Sequence, residues 1–273
     1  MQLTASDGTK ISYQATKISD VFLIFLHGWG VNWTTWKESI EFFQKQGYST
    51  VALDLRGHGE SGKPGKRSAY DISSFSKDID ELARIENIQK SALIGQSMGG
   101  MIALDYALRY PGNVLALILC NSTYMNVLEH RKFKGTAPLI KKIIKKVHDD
   151  STLWNPEAED IDLSKLKKES DYKIFTRGMH NATTLSLISC LEHLIDFDVK
   201  DSLAKINAPV LIISGEEDNL LPPIDSEEMH ELIPKNELKK IKGSHFLNIK
   251  NTKEVNELIL EFLKKNNILA NKY

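Results

Sequence analysis

Cysteine is scarce in this chain. Cys120 and Cys190 are the only two among 273 residues. Each sits in an apolar setting, so both read as buried free thiols rather than as a disulfide framework. Excess charge of either sign is also missing. With 35 basic and 36 acidic side chains the formal charge is −1, which gives no global basis for binding nucleic acid or an anionic membrane. No long apolar run is present. The most apolar stretch, residues 21–26, falls far short of the roughly 20 residues a membrane span needs, so stable membrane insertion is not expected. The opening residues Met1-Gln2-Leu3-Thr4-Ala5-Ser6-Asp7-Gly8 lack the basic start and apolar core of a secretion signal. The protein is therefore expected in the cytoplasm, and the glycosylation-type triplets at Asn32, Asn121 and Asn181 carry little weight. No internal repeat occurs, and no His/Cys/acid cluster has metal-ligand spacing. Neither a metal nor a cofactor is expected.

What is present is an ordinary globular composition, 41% hydrophobic and 26% charged, on a chain long enough for one substantial core plus an appendage. Residues 1–4 and 10–16 alternate loosely about Ser6-Asp7-Gly8-Thr9 and predict a hairpin at a sheet edge. Residues 21–26 are continuously apolar, the mark of a strand covered on both faces. A helix over 36–46, a strand over 48–53, a helix over about 71–84, a strand ending at Ile94, a helix over 101–108 and a strand over 114–119 follow. This alternation implies a parallel sheet with helices on both faces. It stops near Asn121 and resumes with a strand over 208–215, a helix over about 224–233, a strand over 237–241 and a helix over about 252–264. Only helical segments are predicted between. The expected organisation is thus a core of residues 1–121 and 201–273 with a helical cap, 122–200, inserted into it. Within the cap, residues 139–147 predict a helix with an apolar stripe at 140, 143, 144 and 147 and lysines on the other face. Solvated lysines on a lid helix are the preferred reading over contact with an anionic partner. Residues 184–194 predict a second lid helix, apolar on the face of Leu187, Cys190, Leu191 and Leu194.

One turn in this pattern carries chemistry. Gly95-Gln96-Ser97-Met98-Gly99-Gly100 joins a buried strand to a helix and matches G-x-S-x-G. The glycines permit a reversal so tight that Ser97 is strained and its hydroxyl is lifted clear of the sheet at a helix N-terminus. A serine hydroxyl needs a base, and the base needs a group that fixes its tautomer. Of eight histidines, only His245 follows the last predicted strand. The loop Ser214-Gly215-Glu216-Glu217-Asp218-Asn219-Leu220-Leu221-Pro222 supplies the acid: Asp218 lies deeper in the loop than Glu216 and Glu217, and Glu217 is the alternative. No acid follows the strand ending at Leu119, where Asn121 and Ser122 stand. Two backbone N–H groups must face the developing oxyanion. Met98, next to the serine, offers one; Trp29, in the glycine-flanked loop His27-Gly28-Trp29-Gly30, offers the other. A competing motif, Gly57-His58-Gly59-Glu60-Ser61-Gly62, matches G-x-G-x-x-G, but no helix opens there, so a dinucleotide site is not expected.

Together HGWG at 27–30, DLRGHGESG at 54–62, GQSMGG at 95–100, and GEEDNLLP with GSHF at 215–222 and 243–246 resemble the α/β-hydrolase fold family over essentially the whole chain. The resemblance implies an α/β fold with a mostly parallel central sheet of about eight strands, helices on both faces and a helical cap insertion. It implies Ser97 as nucleophile, Asp218 as acid, His245 as base, and Trp29 and Met98 as oxyanion donors. The subgroup is similar to carboxylesterases, haloperoxidase-like enzymes and enol-lactone hydrolases. Members with an aspartate nucleophile, such as epoxide hydrolases, are disfavoured by the serine at 97. The expected activity is cleavage of a small carboxylic ester with a hydrophobic acyl or alcohol part. Alternatives are a lactone, thioester or C–C bond, peracid formation, or a binding protein that keeps the site without turnover. Trp29, Trp154, Leu220 and Phe246 are candidates to line the substrate pocket.

Overall fold

Five strands whose residues are fully or almost fully buried form the middle of the molecule, a burial that only a sheet covered on both faces can give. The computed structural model describes residues 1–126, 142 and 161–270. Strands β1 (Gln2–Thr4), β2 (Lys10–Thr16), β3 (Phe22–Leu26), β4 (Ser49–Leu53), β5 (Ser91–Gln96), β6 (Val114–Cys120), β7 (Val210–Gly215) and β8 (Asn236–Ile241) form one eight-stranded sheet in the order β1-β2-β4-β3-β5-β6-β7-β8. β1 and β2 pair antiparallel at one edge, with Leu3 opposite Ile11; β2 joins β4 antiparallel, and all remaining pairs are parallel. The half-exposed β8 closes the other edge.

Helices α1 (Lys37–Lys45), α2 (Ile72–Ile85), α3 (Met98–Arg109), α4 (Asp171–Met179), α5 (Thr184–Ile195), α6 (Pro223–Leu232), α7 (Leu247–Lys250) and α8 (Thr252–Lys265) complete the regular elements used below. The core is split by the sheet, as alternating strand side chains require. On one side Ile24, Leu93 and Leu117 pack with Phe75 and Ile79 of α2, Ile102 of α3 and Met229 of α6. On the other, Phe25, Ile94 and Ile118 pack with Phe43 of α1 and Ile259 and Phe262 of α8. The predicted elements fall within about two residues of those observed, apart from the final segment of the serine strand and the helix after it. There β5 runs on to Gln96 and α3 begins at Met98.

Two features of this topology position a site. The strand order reverses about β3, which lies between β4 and β5. Loops leaving the C-terminal ends of β3 and β5 therefore border the crevice where α/β sheets bind ligands. The chain also leaves the sheet at β6 and re-enters at its hydrogen-bonded neighbour β7, and α4 and α5 lie in the connection between them. The predicted lysine-striped helix over 139–147 lies outside the described residues except for Lys142. Among the described residues no helix is long and apolar enough to cross a membrane.

Candidate active site

Ser97 occupies the turn from β5 into α3 with φ +54° and ψ −120°. A non-glycine residue held there costs about 1–3 kcal/mol and persists only when its surroundings enforce it. They do. A Cβ on Gly95 would stand 2.3 Å from the carbonyl oxygen of Gly99, and one on Gly99 would stand 2.2 Å from that of Leu26. These two glycines let β3, β5 and α3 meet backbone to backbone. The Ser97 N–H donates to the carbonyl of Cys120 at 3.1 Å, and the Ser122 hydroxyl donates to the Ser97 carbonyl at 2.9 Å. β6 thus pins the turn from its other side. Met98 is the first residue of α3, so its N–H is one of the donors a helix start leaves without an intrahelical partner.

The loop after β3 runs against this turn: a Cβ on Gly28 would lie 3.4 Å from the Ser97 Cβ. Two buried imidazoles hold the loop. His27 Nδ1 donates to the Gly28 carbonyl at 2.8 Å, and its Nε2 accepts from the Leu55 N–H at 2.9 Å. His58 Nε2 accepts from the Gly30 N–H at 3.1 Å, and its Nδ1 donates to the Arg56 carbonyl at 3.1 Å. A ring that accepts at one nitrogen and donates at the other is neutral. Burial agrees: it pushes His27 down to about 3, with the neighbouring His58 adding to the effect, and His58 down to about 4. The 54–62 motif thus serves to anchor the β3 loop. The segment bears no helix start, α2 beginning only at Ile72, which removes the dinucleotide reading.

The sign of the pH effect follows from those two rings. Unfolded histidine takes up a proton near 6.5, the native rings only near 3 and 4. Below pH 6.5 the unfolded chain binds more protons, so this contribution to stability is complete above 6.5 and lost as pH falls. For His58 the loss reaches about 2 kcal/mol at pH 5. Between pH 7.5 and 5, urea unfolding of His58→Gln is expected to lose less stability than wild type by about that amount. Equal losses would contradict the assignment of His58 as a buried neutral acceptor.

Asp218 and His245 are brought together by the loops after β7 and β8. Asp218 Oδ1 accepts from the N–H groups of Leu220 at 2.8 Å and Leu221 at 3.0 Å, which turns Oδ2 toward His245 Nδ1 at 2.7 Å. Both side chains are buried, and among the described residues His245 Nε2 has no hydrogen-bond partner. The two loops are tied by the Glu217 N–H, which donates to the Gly243 carbonyl at 2.9 Å. Sequence reasoning passed over Asn121 as merely not an acid. Its Nδ2 donates to the carbonyls of Ser244 at 2.8 Å and His245 at 3.0 Å, while its Oδ1 accepts from the Gly215 N–H at 2.6 Å. One amide at the end of β6 thereby fixes both the acid and the histidine loops. Its φ of +41°, a conformation asparagine tolerates better than most residues, is the local trace of that role.

Ser97 opens into a cavity of about 310 Å³, at the small end of ligand pockets. Trp29, Met98, Met101 and Leu221 of the core line it, with Phe175 of α4, Leu191 and Leu194 of α5, and Leu220. Trp29 and Leu220 are thus lining residues. Phe246 is not: it is 1% exposed and packs behind His245 with Val31, Leu163, Ile174 and Ile249. Its expected role as pocket lining is corrected to that of a wedge under the histidine loop, packed edge-on against Phe175, which does line the cavity. Trp154 lies outside the described residues. Met101, Phe175 and Leu221 were missed; Phe175 stands beside Ile174 in a segment that also holds Tyr172, and nothing in the sequence singles it out. The Trp29 indole N–H donates to the Leu187 carbonyl at 2.8 Å, and the Ser186 hydroxyl donates to the Gly57 carbonyl at 2.9 Å, so α5 is fastened to the core at the rim. Among the described residues that line the cavity, Ser97 alone carries a hydroxyl, and the indole N–H of Trp29 is already bonded to Leu187. No group of three or more His, Cys, Asp or Glu that could hold a metal occurs among the described residues.

The family described as serine aminopeptidase, S33 matches residues 18–245. Epoxide hydrolase 3 of Xenopus tropicalis is 27% identical over 264 residues, 89% of this chain and 71% of that protein. The 3-oxoadipate enol-lactonase 2 of Acinetobacter baylyi is 25% identical over 247 residues, 90% of this chain and 89% of that protein. Among solved structures, the esterase EaEST of Exiguobacterium antarcticum superimposes with a TM-score of 0.79 at 25% identity, covering 97% of this chain and 99% of its own.

Proposed function

Since the chain belongs to the serine aminopeptidase S33 family of α/β hydrolases, we propose that it cleaves a small carboxylic ester with a hydrophobic acyl or alcohol part, through an acyl-enzyme on Ser97. The observation that carries this reading is the strained Ser97 lining an apolar cavity, together with a buried histidine whose Nδ1 is bonded to a buried carboxylate and whose main-chain carbonyl is held by Gln96, the neighbour of Ser97. His245 Nε2 takes the Ser97 proton as Oγ attacks the ester carbonyl carbon. The oxyanion is met by the N–H groups of Met98 and Trp29. Collapse expels the alcohol, which receives the proton from His245. A water, deprotonated by His245, then attacks the acyl carbon and returns Ser97 and the free acid. Asp218 holds the ring with its proton on Nδ1 throughout.

Three neighbouring chemistries are less well supported. Opening an epoxide through a covalent intermediate needs a carboxylate nucleophile, because the resulting ester can be hydrolysed; a serine alkoxide would give a stable ether. An aminopeptidase must hold a free ammonium group, and no carboxylate is among the described residues lining the cavity. Oxoadipate is a dicarboxylic acid, and no lysine or arginine is among them either. An uncharged lactone remains the second reading, favoured by the 25% identity to an enol-lactonase; it is an internal ester opened by the same steps.

Treatment of the protein with a fluorophosphonate, followed by peptide mapping, is expected to find the label on Ser97 and to accompany turnover of short-chain p-nitrophenyl esters. A label elsewhere, or neither label nor turnover, overturns the proposal.

A further inference from the structure

The histidine loop is gripped by the cap as well as by the core. Asp171, the first residue of α4, accepts from the His245 backbone N–H through Oδ2 at 3.0 Å and from the Ser244 hydroxyl through Oδ1 at 3.0 Å. The same Oδ1 pairs with Lys250 of α7. Four residues on, and so on the same helix face, Phe175 lies nearly flat against the His245 ring, centroids 5.8 Å apart and planes 18° apart. From the other direction Asn121 and Gln96 of the core donate to the His245 carbonyl. The two polar ends of this residue's main chain therefore belong to different parts of the fold: its carbonyl to the sheet, its N–H to the cap.

We propose that Asp171, assisted by Phe175, is a positioning residue for the catalytic base, so that His245 is aligned on Ser97 only while α4 is seated. This rests on the serine-hydrolase reading of the site. A carboxylate accepting from a main-chain N–H is directional and stronger than a neutral bond, whereas the part-exposed Lys250 pair by itself contributes little. Unseating α4 removes the N–H partner and the ring's flat support together. A histidine held at one end only can swing by fractions of an ångström, and displacement on the order of 1 Å costs about 100-fold in rate.

Three variants of the full chain test it: Asp171→Ala, Asp171→Asn and Glu192→Gln. Glu192 of α5 pairs with Arg67 of the core and touches neither His245 nor the cavity, so its substitution loosens the cap without releasing the base. Asp171→Ala is expected to lower kcat for a p-nitrophenyl ester, and the rate of fluorophosphonate labelling, by about 10–100-fold with KM nearly unchanged. Asp171→Asn, whose amide oxygen can still accept from the His245 N–H, is expected to recover part of both rates. It also gives the reading should Asp171→Ala not fold. Glu192→Gln is expected to leave both at the wild-type value. A rise in KM with kcat spared, or a loss of kcat in Glu192→Gln equal to that in Asp171→Ala, overturns the proposal. A readout free of substrate separates it from the serine-hydrolase reading: the downfield proton resonance of the His245–Asp218 bond, identified by its loss in His245→Gln. It is expected to broaden in the Asp171 variants and to persist in Glu192→Gln. Should wild type prove inert toward esters and label, the hydrolase reading falls, and an unchanged resonance in the Asp171 variants overturns the positioning role.

Discussion

Ser97→Ala is expected to lower ester turnover by on the order of 10⁴–10⁶-fold and to abolish fluorophosphonate labelling, with little change in stability. The size follows from removing a member of a unit whose parts act together. What survives is whatever N–H donors and binding provide to a water. Stability is spared because the turn is enforced by its neighbours: the Ser97 N–H still donates to Cys120, and Ser122 still donates to the Ser97 carbonyl. Alanine inherits the +54° φ, so the strain stays in place. Ser97→Gly should be equally inactive yet more stable, by about 1 kcal/mol, because glycine adopts that φ without a Cβ penalty. Kinetics with an active-site titration, together with urea unfolding of both variants, checks the pair of statements. A loss below tenfold in Ser97→Ala would remove serine as the nucleophile.

Asp218→Asn is expected to lower kcat by about 10⁴-fold without unfolding the protein. The geometry dictates how. Oδ1 is occupied by the N–H groups of Leu220 and Leu221, so asparagine must keep its carbonyl oxygen there. Its NH₂ then faces His245 Nδ1, which lies 2.7 Å from the present Oδ2. A donor at that position makes Nδ1 the acceptor and puts the ring proton on Nε2, the atom that has to receive the serine proton. The base is present but in the wrong tautomer. Nitrogen chemical shifts of His245 should report the exchange alongside the rate. A variant that keeps both its rate and the Nδ1–H form would remove Asp218 from the mechanism.

The two substitutions also mark how much could be read without coordinates. The sheet was legible because most of its central strands are short apolar runs bounded by turn residues, and Ser97 because glycines at fixed offsets leave a local signature. Asp218 was separable from Glu216 and Glu217 by its depth in the loop; the structure adds that the next two N–H groups turn its carboxylate. Asn121 and Asp171 left no such signature. Each acts through one side chain on a main-chain group more than 70 residues away, a relation with no period or spacing along the chain. Phe246 failed in the opposite sense. Position next to His245 suggested contact with substrate, but adjacent residues in a tight loop point different ways, and its ring turned inward to Val31 and Ile174.

The connection that leaves the sheet at β6 and returns at its hydrogen-bonded neighbour β7 gives the scaffold an exchange port. Because β6 and β7 run parallel, the chain must pass from the end of one strand back to the start of the other, a crossover of about a dozen residues or more; beyond that minimum, added residues raise the closure cost only logarithmically and leave the strand pairing untouched. Grafting a foreign cap here should therefore leave the core folded. Function would be harder to carry across, since a donor cap must arrive with its own acceptor for the His245 N–H.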